Sequence, residues 1–138
     1  MKILKYLILM LIVSNNLFAN SNYFREGMML FKQKEFEKAK FKFEQDIVFN
    51  PKSERSYLYL SKIFNIKKEK DLEEKNLNTV ILLNPENEEA IFSLAELKLE
   101  ESNYKESEKL VNQLILICRE YCLKSKNLKT EIEKSLKK

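Results

Sequence analysis

The chain of 138 residues contains no histidine, no tryptophan, one glycine, two prolines and two cysteines. Each shortage removes a class of function. Without histidine, the commonest general base and the commonest metal ligand are missing. One glycine is too few for a phosphate-cradling loop, which needs several positions free of a Cβ. No serine stands in a nucleophile-elbow setting. Asn-Gly and Asp-Gly pairs, the strongest short hairpin signals, do not occur. Hydrolase or transferase chemistry is therefore not expected, and neither is a cofactor or a metal site. So few helix breakers point to an all-α chain.

What remains is charge and apolar surface, 33% and 44% of residues, a mixture that suits amphipathic helices. The first residues stand apart. Lys2 and Lys5 make a basic start, Ile3 to Val13 is almost wholly apolar, and Ser14-Asn15-Asn16 then leads to Leu17-Phe18-Ala19. This is the layout of a secretory signal peptide ending at Ala19. Its apolar core is short of the roughly 20 residues a spanning helix needs. Residues 1–19 are thus expected to direct export, with the bacterial periplasm as the destination, and to be cleaved. Retention as a membrane anchor is the alternative.

Removing residues 1–19 leaves 23 basic and 21 acidic residues. That balance argues against a polyanion or nucleic-acid binder. The charge is uneven, with seven basic and three acidic residues between Arg119 and Lys138. Such a tail reads as the solvated face of a last helix, or as a peripheral contact with a membrane surface.

A period organises the rest. Asn50-Pro51 and Asn84-Pro85 lie 34 residues apart, each closing an amphipathic segment. A proline lacks the N–H and restricts the residue before it, so it stops a helix. Three units follow: residues 20–52, 53–86 and 87–120, each with two helices around a short polar turn. In the first unit Phe36, Ala39, Phe43, Ile47 and Val48 recur at helical spacing, as one buried face would. Lys34-Glu35 and Ser102-Asn103 are the expected turns, and Ser53 and Asn87 are placed as N-caps. Residues 121–138, with Leu123, Leu128, Ile132 and Leu136, form a last amphipathic helix able to cap the open end.

At these residues the sequence resembles the tetratricopeptide repeat (TPR) family. The first unit carries Tyr23, Gly27, Leu30, Ala39-x3-Phe43 and Pro51. The second carries Tyr57, Leu60-Ser61, Phe64, Leu77, Val80 and Pro85, and the third Ile91, Leu94-Ala95, Tyr104, Ser107, Val111 and Leu114. The resemblance implies a right-handed superhelical stack of antiparallel helix pairs, an α-solenoid. Glu26 departs from the family's Leu, Asp46 and Glu73 from its small residues, and Arg119 from its closing Pro. Asp46 and Glu73 fall where helices pack closely, so each needs a polar partner.

The resemblance also implies a partner-binding concave face lined by the first helix of each pair. Matching positions are Phe24, Met28, Phe31 and Lys32, then Arg55, Leu58, Lys62 and Ile66, then Phe92, Glu96 and Leu99. They make an apolar strip with basic residues in its middle, unlike the family's carboxylate clamp. The expected function is a non-catalytic scaffold that takes an apolar or amphipathic segment of another protein, in envelope assembly. The competing reading places the same side chains in the core.

Cys118 and Cys122 join the third unit to the last helix. Within one straight helix their spacing suits two small apolar thiols, the reading favoured here. A helix break at Arg119-Glu120 would let them form a disulfide, as export permits. A thiol-disulfide function is a third possibility, although the spacing is not Cys-x-x-Cys.

Overall fold

The structure is a computed structural model that describes residues 22–137. The expected export signal, residues 1–19, lies outside them. The described residues form seven α-helices: α1 (Tyr23–Lys32), α2 (Phe36–Phe49), α3 (Glu54–Lys67), α4 (Lys70–Leu83), α5 (Glu88–Glu100), α6 (Tyr104–Ile117) and α7 (Cys122–Leu136). Consecutive helices pack on one another. α1 also touches α3 and α5 touches α7, so the chain is a stack of antiparallel pairs closed by α7. No described helix is long and apolar enough to cross a membrane.

The turns inside the three pairs are built alike. Lys34, Lys68 and Ser102, spaced by 34 residues, all adopt positive φ, at 61°, 62° and 59°. In each turn the positive-φ residue donates its N–H three residues back, and the next residue donates five back. Lys34 and Glu35 donate to Phe31 and Leu30, Lys68 and Glu69 to Asn65 and Phe64, Ser102 and Asn103 to Leu99 and Lys98. This left-handed cap satisfies carbonyls that the ending helix leaves orphaned.

Two clusters fill the interior. Ala39, Phe43, Leu60, Ile63 and Phe64 bury the first pair against α3, ringed by Phe24, Phe31, Phe36 and Tyr59. The Phe43 and Tyr59 rings stack with centroids 5.0 Å apart. A Cβ on Gly27 would sit 2.7 Å from the Phe43 ring, so only glycine lets α1 approach α2 this closely. The second cluster runs from Leu58 and Leu77 through Ile91, Leu94, Val111 and Leu114 to Leu128 and Ile132. Helix α3 serves both clusters from opposite faces, coupling the first pair to the remainder.

The two carboxylates that replace small residues of the family pattern, Asp46 and Glu73, are buried and partnered. Asp46 accepts hydrogen bonds from the hydroxyls of Ser53 and Ser56. Glu73 accepts one from Asn65 Nδ2 at 2.9 Å. Ser53 makes no side-chain cap to α3, and its hydroxyl donates instead to Asp46. Asn87 does cap α5, accepting from the Ala90 N–H at 2.8 Å. Glu26 pairs with Lys42 at 2.8 Å.

Candidate functional site

The stack encloses a groove of about 760 Å³ between the first helices of the pairs and α7. Phe31 forms one end. Lys62 and Ile66 come from the last turns of α3, Glu89, Glu96 and Leu99 from one face of α5, and Leu128 and Glu131 from α7. Helical periodicity puts them together: Lys62 and Ile66 are four residues apart, and Glu89, Glu96 and Leu99 follow seven- and three-residue steps.

Of the eleven residues expected in the groove, Phe31, Lys62, Ile66, Glu96 and Leu99 line it. The other six lie elsewhere. Leu58 is buried in the second core cluster, because that face of α3 points at α4 and α5. Phe24 and Met28 are half-buried against the first cluster. The Arg55 guanidinium lies 4.2 Å over the Phe24 ring, and one of its nitrogens lies 3.8 Å from Met28 Sδ. Arg55 therefore covers the first pair and leaves the groove. Phe92 packs on Tyr121, centroids 5.3 Å apart, under the start of α7. Lys32 is exposed outside the groove. Phe31 and Phe92 are both half-buried, and neither is sealed in the interior.

The expected electrostatics do not hold. Five carboxylates line the groove, from Glu73, Glu89, Glu96, Glu100 and Glu131, and Lys62 is the one cation among the lining residues. Lys62 is held by Glu89 at 2.7 Å, and Lys70 reaches Glu100 at 3.1 Å. Desolvation raises the Glu73 carboxyl above the usual carboxylate range. The Asn65 hydrogen bond works against the rise, and the Glu100 charge adds to it. Glu96 is raised in the same sense by desolvation and by the charges of Glu100, Glu131 and Glu73, with Lys124 opposing. A reading confined to the first helix of each pair misses Glu73 and Glu131, which come from α4 and α7. Glu89 and Glu100 lie on α5, seven residues before Glu96 and four after it, and that spacing is the signal that finds them.

At the other end of α5, Glu88 holds the turn into α7. Its carboxylate accepts the backbone N–H groups of Arg119 at 2.8 Å, Glu120 at 3.0 Å and Tyr121 at 2.8 Å. These bonds, that from Tyr121 foremost, lower its pKa against a smaller desolvation effect. The chain breaks between α6 and α7, and across that break Cys118 and Cys122 form a disulfide with Cα atoms 5.2 Å apart. The favoured reading of two free thiols is therefore corrected in favour of its alternative, the disulfide across a helix break, because α6 ends at Ile117 and the break brings the two cysteines together. Glu54, 34 residues before Glu88, has the matching role in the preceding pair. Its carboxylate accepts from the side-chain amides of Asn84 and Asn87.

On α7, Lys129 donates to Asn112 Oδ1 at 2.9 Å, and the Lys124 ammonium lies 4.5 Å over the Tyr121 ring. Two of the basic residues read as a membrane-facing tail thus have partners within the fold. Among the described residues no cluster of three or more His, Cys, Asp or Glu is arranged to hold a metal ion.

No protein-family model matches the sequence, and no curated protein sequence matches it. Solved structures do. The first TPR domain of human RPAP3 superposes with a TM-score of 0.73 at 15% identity, over 84% of this chain and 91% of that one. SycD, a type III secretion translocator chaperone of Yersinia enterocolitica, superposes with a TM-score of 0.75 at 15% identity, over 85% and 93%. The TPR2B domain of yeast Sti1, solved as a complex with pHsp70, gives 0.74 at 13% identity, over 83% and 98%. What these proteins share with this chain is the fold, a TPR-type stack of helix pairs.

Proposed function

We propose, starting from that TPR-type stack, that the protein is a non-catalytic scaffold that holds an amphipathic segment of another protein in its concave groove. The observation that carries this reading is the groove itself, about 760 Å³ and lined by Phe31, Ile66, Leu99 and carboxylates. A groove of mixed apolar and polar lining, set on rigid helices, suits a helix or extended segment anchored at a few positions. Solved TPR domains bound to peptides, such as the first TPR of Spaghetti with an HSP90 peptide, lend the reading support.

Export to the periplasm and a role in envelope assembly belong to the same proposal. They rest on residues 1–19 and gain support from the Cys118–Cys122 disulfide, since disulfides persist in oxidising compartments. N-terminal sequencing of the protein recovered from cells tests export. A start at Asn20 fits it, and an intact Met1 in the soluble cytosol opposes it.

The scaffold reading is tested by placing a photo-crosslinking residue at Ile66 inside the groove, or at Leu82 on the outer surface. A partner crosslinked from position 66 and not from position 82 is the expected result. Crosslinking from position 82 alone would move the function off the groove.

A further inference from the structure

Charge in the groove is unbalanced in a way that selects among partners. The one lysine in the lining is already paired with Glu89, and Glu100 has Lys70. Glu96 and Glu131 have no ion-pair partner among the described residues. Lys124, the cation that opposes the rise at Glu96, has its ammonium over the rings of Phe92 and Tyr121. Glu96 of α5 and Glu131 of α7 therefore line the same groove as the apolar Ile66, Leu99 and Leu128, and neither carboxylate is ion-paired among the described residues. An anionic segment laid there would meet like charge at close range, which disfavours it. A neutral apolar segment would bury the apolar lining and leave both carboxylates with poorer hydration. A segment with apolar anchors and flanking ammonium or guanidinium groups satisfies both surfaces at once.

We propose that the groove is selective for a cationic amphipathic segment of a partner protein. Its apolar side chains sit against Ile66 and Leu99, and its lysines or arginines pair with Glu96 and Glu131. This selectivity rests on the groove reading above and extends it to the chemistry of the partner. Glu96 fits the same picture: burial raises its carboxyl first and the neighbouring charges of Glu100, Glu131 and Glu73 add to the rise, and a bound cation would offset that added part.

The test uses three fluorescein-labelled 12-residue peptides with leucines at i, i+3, i+4 and i+7. The remaining positions are filled with lysine, glutamine or glutamate. Binding to the purified protein is followed by fluorescence anisotropy at low and at physiological salt. The lysine peptide is expected to bind roughly tenfold more tightly than the glutamine peptide, with the glutamate peptide weakest. A Glu96→Gln/Glu131→Gln variant, folded by circular dichroism, should erase the difference between lysine and glutamine peptides. Ile66→Lys should weaken both. Equal binding of the lysine and glutamine peptides by the parent would overturn the selectivity. So would a lysine preference that survives in the double variant, which would assign it to charge elsewhere on the surface. If the glutamine peptide binds and Ile66→Lys abolishes that binding, the groove reading stands while the cation preference falls. If no peptide responds to Ile66→Lys, the groove reading falls as well. Self-association of the parent that the double variant loses would give the groove to a second copy and overturn the proposal.

Discussion

Asp46 stands where the repeat pattern calls for a small residue, and it keeps its place by accepting two hydroxyl hydrogen bonds. Ser56, one of the donors, is fully buried, so the pair forms a closed polar unit inside an apolar interface. Removing one half strands the other. Asp46→Ala should cost about 1–3 kcal/mol by urea denaturation, the usual penalty for an orphaned buried polar group. Adding Ser56→Ala to that background should cost much less than Ser56→Ala alone, because the hydroxyl has already lost its acceptor. Additive losses in the cycle would show that the two side chains act independently. Glu73 is the opposite case, since its single Asn65 hydrogen bond does not outweigh burial. Its folded pKa lies above the ordinary 4.5, so the folded protein binds more protons than the unfolded chain between those two values. Stability therefore falls as pH rises through that window, and the penalty is complete above it. Glu73→Gln keeps an acceptor for Asn65 and removes the charge. It should raise the melting temperature at pH 7, with the gain shrinking as pH falls toward 4.5.

At the level of the element, the turns show what the sequence reveals and what it hides. The 34-residue period and the two prolines locate the helix pairs, and the turns at Lys34 and Ser102 are legible because polar residues interrupt apolar runs there. The second turn, around Lys67 to Asp71, lacks an aromatic to mark it, yet Lys68 takes the same positive φ as its counterparts. Period does not separate inner from outer surface. Spacing alone puts Val48 on the buried face, but Val48, Leu82 and Leu116, again 34 apart, are 75%, 81% and 86% exposed. Asp46, Val80 and Leu114, two residues earlier in each helix, are the buried set. An apolar residue at a helix end satisfies the same three- and four-residue spacing whichever way the last turn points. The groove is similar: the pattern finds Ile66 and Leu99, while the acids of α4 and α7 enter through tertiary packing that no single segment encodes. A lysine or serine at positive φ carries a Cβ penalty that glycine avoids. Lys34→Gly, Lys68→Gly and Ser102→Gly should each stabilise the fold by up to about 1 kcal/mol. Chemical denaturation of the single and triple variants checks this, and a loss from any one would mean that its side chain makes a needed contact.

For the molecule as a whole, stability is carried along the stack by neighbour-to-neighbour interfaces, so the ends decide how it opens. The N-terminal pair is locked by an aromatic cluster that shares α3 with the rest of the core. The C-terminal end depends on α7, whose Leu128 and Ile132 close the second cluster. Two devices hold α7 at its angle, the Cys118–Cys122 disulfide and the three N–H groups gathered by Glu88. Their responses to conditions differ. The Glu88 pKa is lowered in the folded state, so its contribution is full above the ordinary carboxylate value of 4.5 and is lost as pH falls through the folded value. The disulfide is indifferent to that change and yields to a dithiol reductant. Local opening is graded along repeat structures, and an end helix tied by few contacts opens first. Amide exchange read by mass spectrometry should therefore show α7 losing protection before α3 and α4 when the protein is reduced. The loss should be larger in a Glu88→Gln variant than in the parent, because glutamine has no carboxylate to bridge all three amides. In that variant, lowering the pH through the acid range should add less to the opening of α7 than it does in the parent. Simultaneous loss of protection across α3 to α7 on reduction would show instead that the stack unfolds as one unit and that the cap is no weaker than its middle.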